Sequence, residues 1–155
     1  WGERAPVDDK TVRAGLYNLS LHNTREDIIR AFLEGIALNT KWLMTPVEKF
    51  LGKKVNSINI VGGGAQSDVW CQIFADVMDV EIKQVAEPVY ANARGAAWIG
   101  AVGLGEISFN DVPKLVRIKH AYTPQASTRS LYDERFEVFT SIYKQMKGVY
   151  QKLNQ

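Results

Sequence analysis

Apolar positions along the chain change period several times, and each change marks an expected element. The first twenty residues carry no helical period. Gly2-Glu3-Arg4-Ala5-Pro6 reads as a polar loop, and Leu16, Leu19 and Leu21 as a short extended or irregular piece. Asn23 or Thr24 is placed to cap a helix, with Glu26 and Asp27 in its first turn, where acidic side chains complement the helix dipole. Ile29, Phe32, Leu33, Ile36, Leu43, Val47 and Phe50 then keep helical spacing as far as Gly52. Pro46 is expected to kink this helix or restart it, with Thr45 as the new cap.

The next segment alternates differently. A β-branched strand near residues 56–61 runs into Gly62-Gly63-Gly64-Ala65, and a helix follows near 67–79 with Val69, Trp70, Ile73, Phe74 and Val77 on its inner face. A second strand is read at 80–85, with Val80, Ile82 and Gln84 on one side, and Pro88 breaks it. Asn92 is read as the cap of a third helix over 93–104, closed by Gly105. That helix is made almost wholly of small residues, which let a packed helix or a ligand come near; packing is the commoner use. Residues 116–122 alternate weakly, as a further strand. Ser127 or Thr128 begins a last helix carrying Tyr132, Phe136, Phe139, Tyr143, Met146, Tyr150 and Leu153 in register as a core stripe.

Strand, glycines, helix is the pattern with most chemical content. Glycine tolerates positive φ and lets another molecule approach the main chain. The helix behind it turns its free N–H groups and positive dipole end toward the turn, a place suited to a nucleotide phosphate. The alternative is a turn that uses glycine only for its own geometry. A Walker A loop is excluded, because Gly64 is followed by Ala65-Gln66-Ser67-Asp68 with no lysine. A dinucleotide fingerprint is imperfect: Ser67 stands at the third glycine position, although Glu87 could serve as the ribose acid.

Bulk properties narrow the class. At 155 residues the chain is most simply one domain, and a net charge of +2, scattered among both signs, argues against a nucleic-acid or anionic-membrane surface. No apolar run is long enough for a membrane span. A start at Trp1 rather than Met is read as a piece cut from something longer. The lone Cys71 fits a reducing cytosol and sits in an apolar helix pattern, as a buried, inert thiol. His22 and His120 lack partners at ligand spacing, so no metal site is read, and Asp8 and Asp9 are taken as solvated loop charge. A nucleotide cradle without a convincing general base suggests half of an active site.

Several fragments in order resemble the second half of the FGGY carbohydrate kinases. They are Gly2-Glu3-Arg4-Ala5-Pro6, His22-Asn23-Thr24-Arg25, the run from Arg30 to Ala37, Val61 to Ser67 with Trp70 to Asp76, and Ala93-Arg94-Gly95-Ala96-Ala97. The wording is most similar to xylulose kinase-like members. The resemblance implies an α/β fold: a ribonuclease-H-like, actin-like ATPase C-terminal lobe with a mixed sheet flanked by helices, residues 1–155 forming most of it. It implies ATP with Mg2+ as cofactors, with Gly63, Gly64 and Ala65 against the nucleotide and Ser67 and Asp68 at its adenine end. The glycerol kinase-like branch has asparagine where Asp68 stands. The helix around Gly95 and Ala96 is expected to pack behind this pocket.

No catalytic residue is expected in this chain. The resemblance puts the Asp-x-Gly-Thr phosphate loop, the base aspartate and most contacts to the sugar or polyol in an N-terminal lobe, so the fragment alone is expected to be inactive. It implies a cytoplasmic protein with no nucleic-acid or membrane partner, and is compatible with a homodimer. A dinucleotide-binding module and a non-catalytic actin-like scaffold are the alternatives. Two departures from the family pattern stand out: Asn18 where a glycine is usual, and Arg94 where leucine is usual, reaching either phosphate or solvent. Gly64→Val is expected to block the nucleotide with little loss of fold.

Overall fold

The computed structural model describes residues 2–154. The chain divides into two compact units, one formed by the segments 1–54 and 126–155 and the other by 55–125.

The second unit is built on three short strands, β1 (Ser57–Ile60), β2 (Glu81–Val85) and β3 (Ile118–Tyr122), in the order β1-β2-β3. β1 and β2 run parallel, with Ile58 beside Ile82 and Ile60 beside Gln84. A parallel pair needs a crossover, and helix α2 (Asp68–Met78) supplies it. β3 pairs antiparallel with β2, placing Tyr122 opposite Ile82 and His120 opposite Gln84. Cys71 and Ala75 from α2 and Ile82 from β2 form the buried centre, with Ile58, Ile60, Phe74, Val80 and Tyr122 packed around it. Cys71 is fully buried as expected, and burial pushes its thiol pKa up.

Helix α3 (Ala91–Gly103) starts earlier than the sequence suggests. Its N-cap position is Tyr90 rather than Asn92, because the 3-10 turn Pro88–Tyr90 leads straight into it. Its exit follows the expectation: Gly105 at φ +77 donates to the Val102 carbonyl and Glu106 to that of Ala101, the paired bonds of a glycine-closed helix end. The close packing expected of its small residues is not met by the described residues. None of its residues is buried, and nothing lies within 4 Å of a Cβ built on Gly95, Gly100 or Gly103. A short helix, α4 (Val112–Leu115), precedes β3.

In the other unit, helix α1 (Arg25–Leu51) begins at a reciprocal cap: the Asp27 N–H donates to Thr24 Oγ1, and the Thr24 N–H to Asp27 Oδ2. Gly52, in the left-handed region, ends it. Pro46 does not restart the element, and Thr45 does not cap a new one; the helix runs on through both. Pro46 is exposed, so the Trp42 carbonyl that loses its donor lies where water can replace it.

Helix α5 (Arg129–Leu153) packs on α1 through Trp42, whose ring meets Phe139 at 6.3 Å and Tyr143 at 5.6 Å, edge to face. Most of its predicted stripe is buried or half-buried; Leu153 is exposed. Glu34 of α1 is buried and accepts from Arg30 Nε (2.7 Å), Tyr132 Oη (2.9 Å) and Arg135 of α5. Asp9 departs from the solvated loop charge expected of it. Its carboxylate accepts from the Thr11 N–H and hydroxyl and from Tyr143 Oη, bonds that hold its pKa below the usual carboxylate value. Asn18 takes φ +60, the left-handed conformation for which glycine is the usual residue and asparagine a tolerated one.

Candidate functional site

The glycine turn joins β1 to α2, and each glycine does something different. Gly62 has φ +89 and ψ −175, a region essentially closed to residues with a Cβ, and its N–H donates to the Pro88 carbonyl at 2.8 Å. The chain then coils into a 3-10 turn, Gly63–Gln66, in which Ala65 donates to Gly62 and Ser67 to Gly64. Gly63 is exposed, and a Cβ there would meet nothing within 4 Å. Among the described residues the N–H groups of Gly63 and Gly64 have no backbone acceptor. Both are donors presented at the mouth of a turn.

Gly64 differs from the expectation in one respect. A Cβ on it would lie 2.5 Å from the Trp70 ring, so Gly64→Val would displace Trp70 rather than simply fill a ligand's space. Gly63 is the position at which a side chain can be added without disturbing the turn.

Ala65 is fully buried, with its carbonyl facing inward. Ser67 is the N-cap of α2, its Oγ accepting from the Trp70 N–H at 3.2 Å. Asp68, exposed at the first residue of α2, adds negative charge at the positive end of the helix dipole. The structure therefore brings Gly63, Gly64, Ala65, Ser67 and Asp68 together along one turn, with Gly63, Ser67 and Asp68 at the surface.

Around Asp68 lies a polar network that the sequence reading did not assemble. Gln84 Nε2 donates to the Ala65 carbonyl at 2.7 Å and to Asp68 Oδ1 at 3.0 Å, while Tyr122 Oη donates to Gln84 Oε1 at 3.3 Å. Lys119 Nζ stands 3.4 Å from Asp68 Oδ1. The Gln84 amide donor, with the Tyr122 hydroxyl and the Lys119 ammonium close by, holds the Asp68 carboxyl below the usual carboxylate range. Burial, with the Asp68 carboxylate beside it, pushes Tyr122 up to about 12. His120 packs edge-on against Tyr122 at 4.5 Å, and these five side chains line a cavity of about 290 Å³. Alternation along β2 already turned Gln84 inward, and a polar residue at an inward position was the available signal. Nothing local pointed to its partners, 16 to 38 residues away in sequence.

The back of the turn is secured by Arg94, which is partly buried rather than turned wholly to solvent. Its guanidinium donates to the Ala86 and Glu87 carbonyls at 2.9 and 3.1 Å, bracing the bend from which Pro88 receives Gly62. Glu87 is held there at φ +49, with its carboxylate 3.6 Å from Arg117 and 3.9 Å from Arg94. His22 is exposed in the N-terminal segment. No group of three or more His, Cys, Asp or Glu side chains that could hold a metal ion occurs among the described residues. No helix among them is long and apolar enough to cross a membrane.

Comparison with known proteins gives this turn a setting. The chain is 32% identical over 148 residues to a xylulose kinase of Staphylococcus epidermidis, covering 94% of this chain and 29% of that protein. It is 28% identical over 153 residues to a gluconokinase of Bacillus licheniformis, covering 98% of this chain and 30% of that one. A ligand-bound xylulose kinase from Lactobacillus acidophilus superposes with a TM-score of 0.85 at 24% identity, over 97% of this chain and 31% of its own. The chain thus spans about 30% of the length of these relatives. The mixed sheet with its flanking helices is that of the actin-like, ribonuclease-H-like C-terminal lobe of such kinases. The model of the FGGY carbohydrate kinases' C-terminal domain matches residues 1–104, and the chain belongs to that family.

Proposed function

We propose that this chain is most of the ATP-binding C-terminal lobe of a carbohydrate kinase that transfers the γ-phosphate of ATP to a hydroxyl of a sugar such as xylulose. The observation that carries the reading is Gly63: exposed, open where a side chain would stand, its own N–H and that of Gly64 without a backbone acceptor at the approach to α2. Phosphoryl transfer asks a protein mainly for positioning and for donors aimed at phosphate oxygens. The Gly63 and Gly64 amides would supply such donors. Asp68 would repel a phosphate and suits the nucleoside end, where a carboxylate can accept from an amino group. Ala65 supports the turn from behind, and Ser67 sets the start of α2.

Membership of the family supports the rest of the reading. The sugar or polyol and the base that deprotonates its hydroxyl belong to the rest of a longer protein, so this chain alone is inactive. Mg2+ would arrive on the nucleotide; the residues described form no ligand set for it. Xylulose is favoured over gluconate because the xylulose kinase is the more similar of the two relatives, at 32% identity against 28%. We read the protein as cytoplasmic, without nucleic-acid or membrane partners, and compatible with a homodimer.

Titration calorimetry of magnesium-ADP into the full-length protein tests the reading. Wild type should bind, and Gly63→Val should weaken binding about tenfold or more while leaving the melting temperature nearly unchanged. Equal affinity in that variant removes Gly63 from the site. A folded full-length protein that does not bind ADP ends the kinase reading.

A further inference from the structure

We propose that Gln84 is the positioning residue of the nucleotide site. Its amide ties the Ala65 carbonyl to the Asp68 carboxylate, so that turn and helix offer one fixed geometry to the ligand. This rests on the kinase reading above and extends it to a side chain that itself touches no ligand.

Gln84 is 0% exposed in the central strand, beside Ile82 in the same inward row. Burying a primary amide is unfavourable unless its donors and acceptor are all used. Here they are: both Nε2 bonds leave toward the glycine turn and α2, and Oε1 receives Tyr122. A leucine would fill a similar volume with no desolvation penalty, so what the amide adds is direction. Tyr122 sets that direction. Its hydroxyl donates to Oε1 at 3.3 Å, which turns the amide N–H groups toward Ala65 and Asp68. The two atoms so fixed are three residues apart, on either side of the Ser67 cap. Their separation decides how the turn's N–H donors stand relative to the Asp68 carboxylate. Lys119 completes the arrangement on the exposed side of the same Oδ1.

The test uses the full-length protein with ADP in calorimetry and ATP with xylulose in steady-state assays. Gln84→Leu should raise the ADP Kd and the ATP KM about tenfold, with kcat and the xylulose KM within about twofold. Tyr122→Phe keeps the core filled and frees the amide to turn; it should move ADP affinity the same way by a smaller factor. In an Asp68→Ala background, Gln84→Leu should weaken ADP binding by less than it does in wild type, because part of its effect passes through Asp68. Unchanged ADP affinity in a folded Gln84→Leu overturns the proposal, as do equal changes in the ATP and xylulose KM values. So does a combined loss equal to the product of the two single losses. If Gln84→Leu does not fold, an unaltered ADP Kd in Tyr122→Phe overturns it. Wild type that fails to bind ADP overturns the kinase reading and this proposal together, whereas wild type that binds normally beside unaffected variants overturns only the role of Gln84.

Discussion

The two units bury their helices by different means. Helix α2, with 11 residues, buries Cys71, Ile73, Ala75, Asp76, Val77 and Met78, because a sheet offers a broad surface to even a short helix. Helix α1 has 27 residues and buries only Glu34, Ala37 and Leu38, because its partner α5 covers a narrow stripe. The helical unit leans instead on directional contacts: the Glu34 cluster, the Trp42 ring pairs, and Tyr17 against Tyr150 at 2.6 Å. Its cavity reflects this, about 890 Å³ among residues such as Tyr17, Phe32, Trp42 and Phe139, against about 290 Å³ beside the glycine turn. The larger space records loose cover of two helices. The smaller one collects polar side chains that converge. A ligand site needs donors held in place by packed neighbours, and the sheet unit provides them.

The strongest way to break this contrast is to open the sheet core. Ile82 is nearly inaccessible between Cys71 and Ala75, so Ile82→Ala should remove about 3 kcal/mol of stability, transfer and cavity terms together. Denaturant unfolding followed by circular dichroism measures it. A loss below about 1 kcal/mol would mean that this core relaxes around a hole, and that the sheet unit is no more tightly built than the helical one.

What the sequence made legible follows the same division. Strand, glycine turn and helix are encoded by neighbours in the chain: β-branched residues, three glycines, a serine cap. They emerge almost residue for residue, as do the Thr24 cap and the Gly52 and Gly105 ends. Periodicity in α1 gives the helix but not its cover. Ile29, Phe32, Ile36, Leu43, Val47 and Phe50 keep the spacing, yet their exposure runs from 36% at Val47 to 90% at Phe50, since a repeat states which residues share a face and not whether anything lies against it. The site divides likewise. Gly63, Ser67 and Asp68 are local and were readable. The network of Gln84, Tyr122 and Lys119 around Asp68 joins β2 and β3 to α2 through antiparallel pairing with β3, a register that no short stretch of sequence specifies. Arg94 shows the same limit: its position on the helix was clear, while its carbonyl partners depended on how the bend at Glu87 closed.

Pro46 offers an intermediate effect and sharpens the contrast from the other side. A proline inside a helix forfeits one hydrogen bond and strains the preceding turn, at a typical cost of about 3 kcal/mol, part of which returns because proline also restricts the unfolded chain. On the exposed face of α1, Pro46→Ala restores a donor for the Trp42 carbonyl without touching the packing of Trp42 on α5. It should raise stability by about 1–2 kcal/mol, read as a higher melting temperature. A drop in stability would show that the proline ring is covered and that α1 has a partner on that side.

The smallest effect belongs to Phe50, which is 90% exposed in the last turns of α1. Glutamine has the better helix propensity and removes no buried contact, so Phe50→Gln in this chain should change stability by less than about 0.5 kcal/mol in either direction. Set against Ile82→Ala, this nearly silent substitution of a larger side chain isolates the meaning of the exposed α1 face: apolar periodicity contributes to stability only where another surface removes it from water. Denaturant midpoints of the two variants, taken side by side, read the difference directly. A Phe50→Gln loss above about 1.5 kcal/mol would require that ring to be buried in solution, which would place a contact on α1 and bring the two units to the same standard of packing.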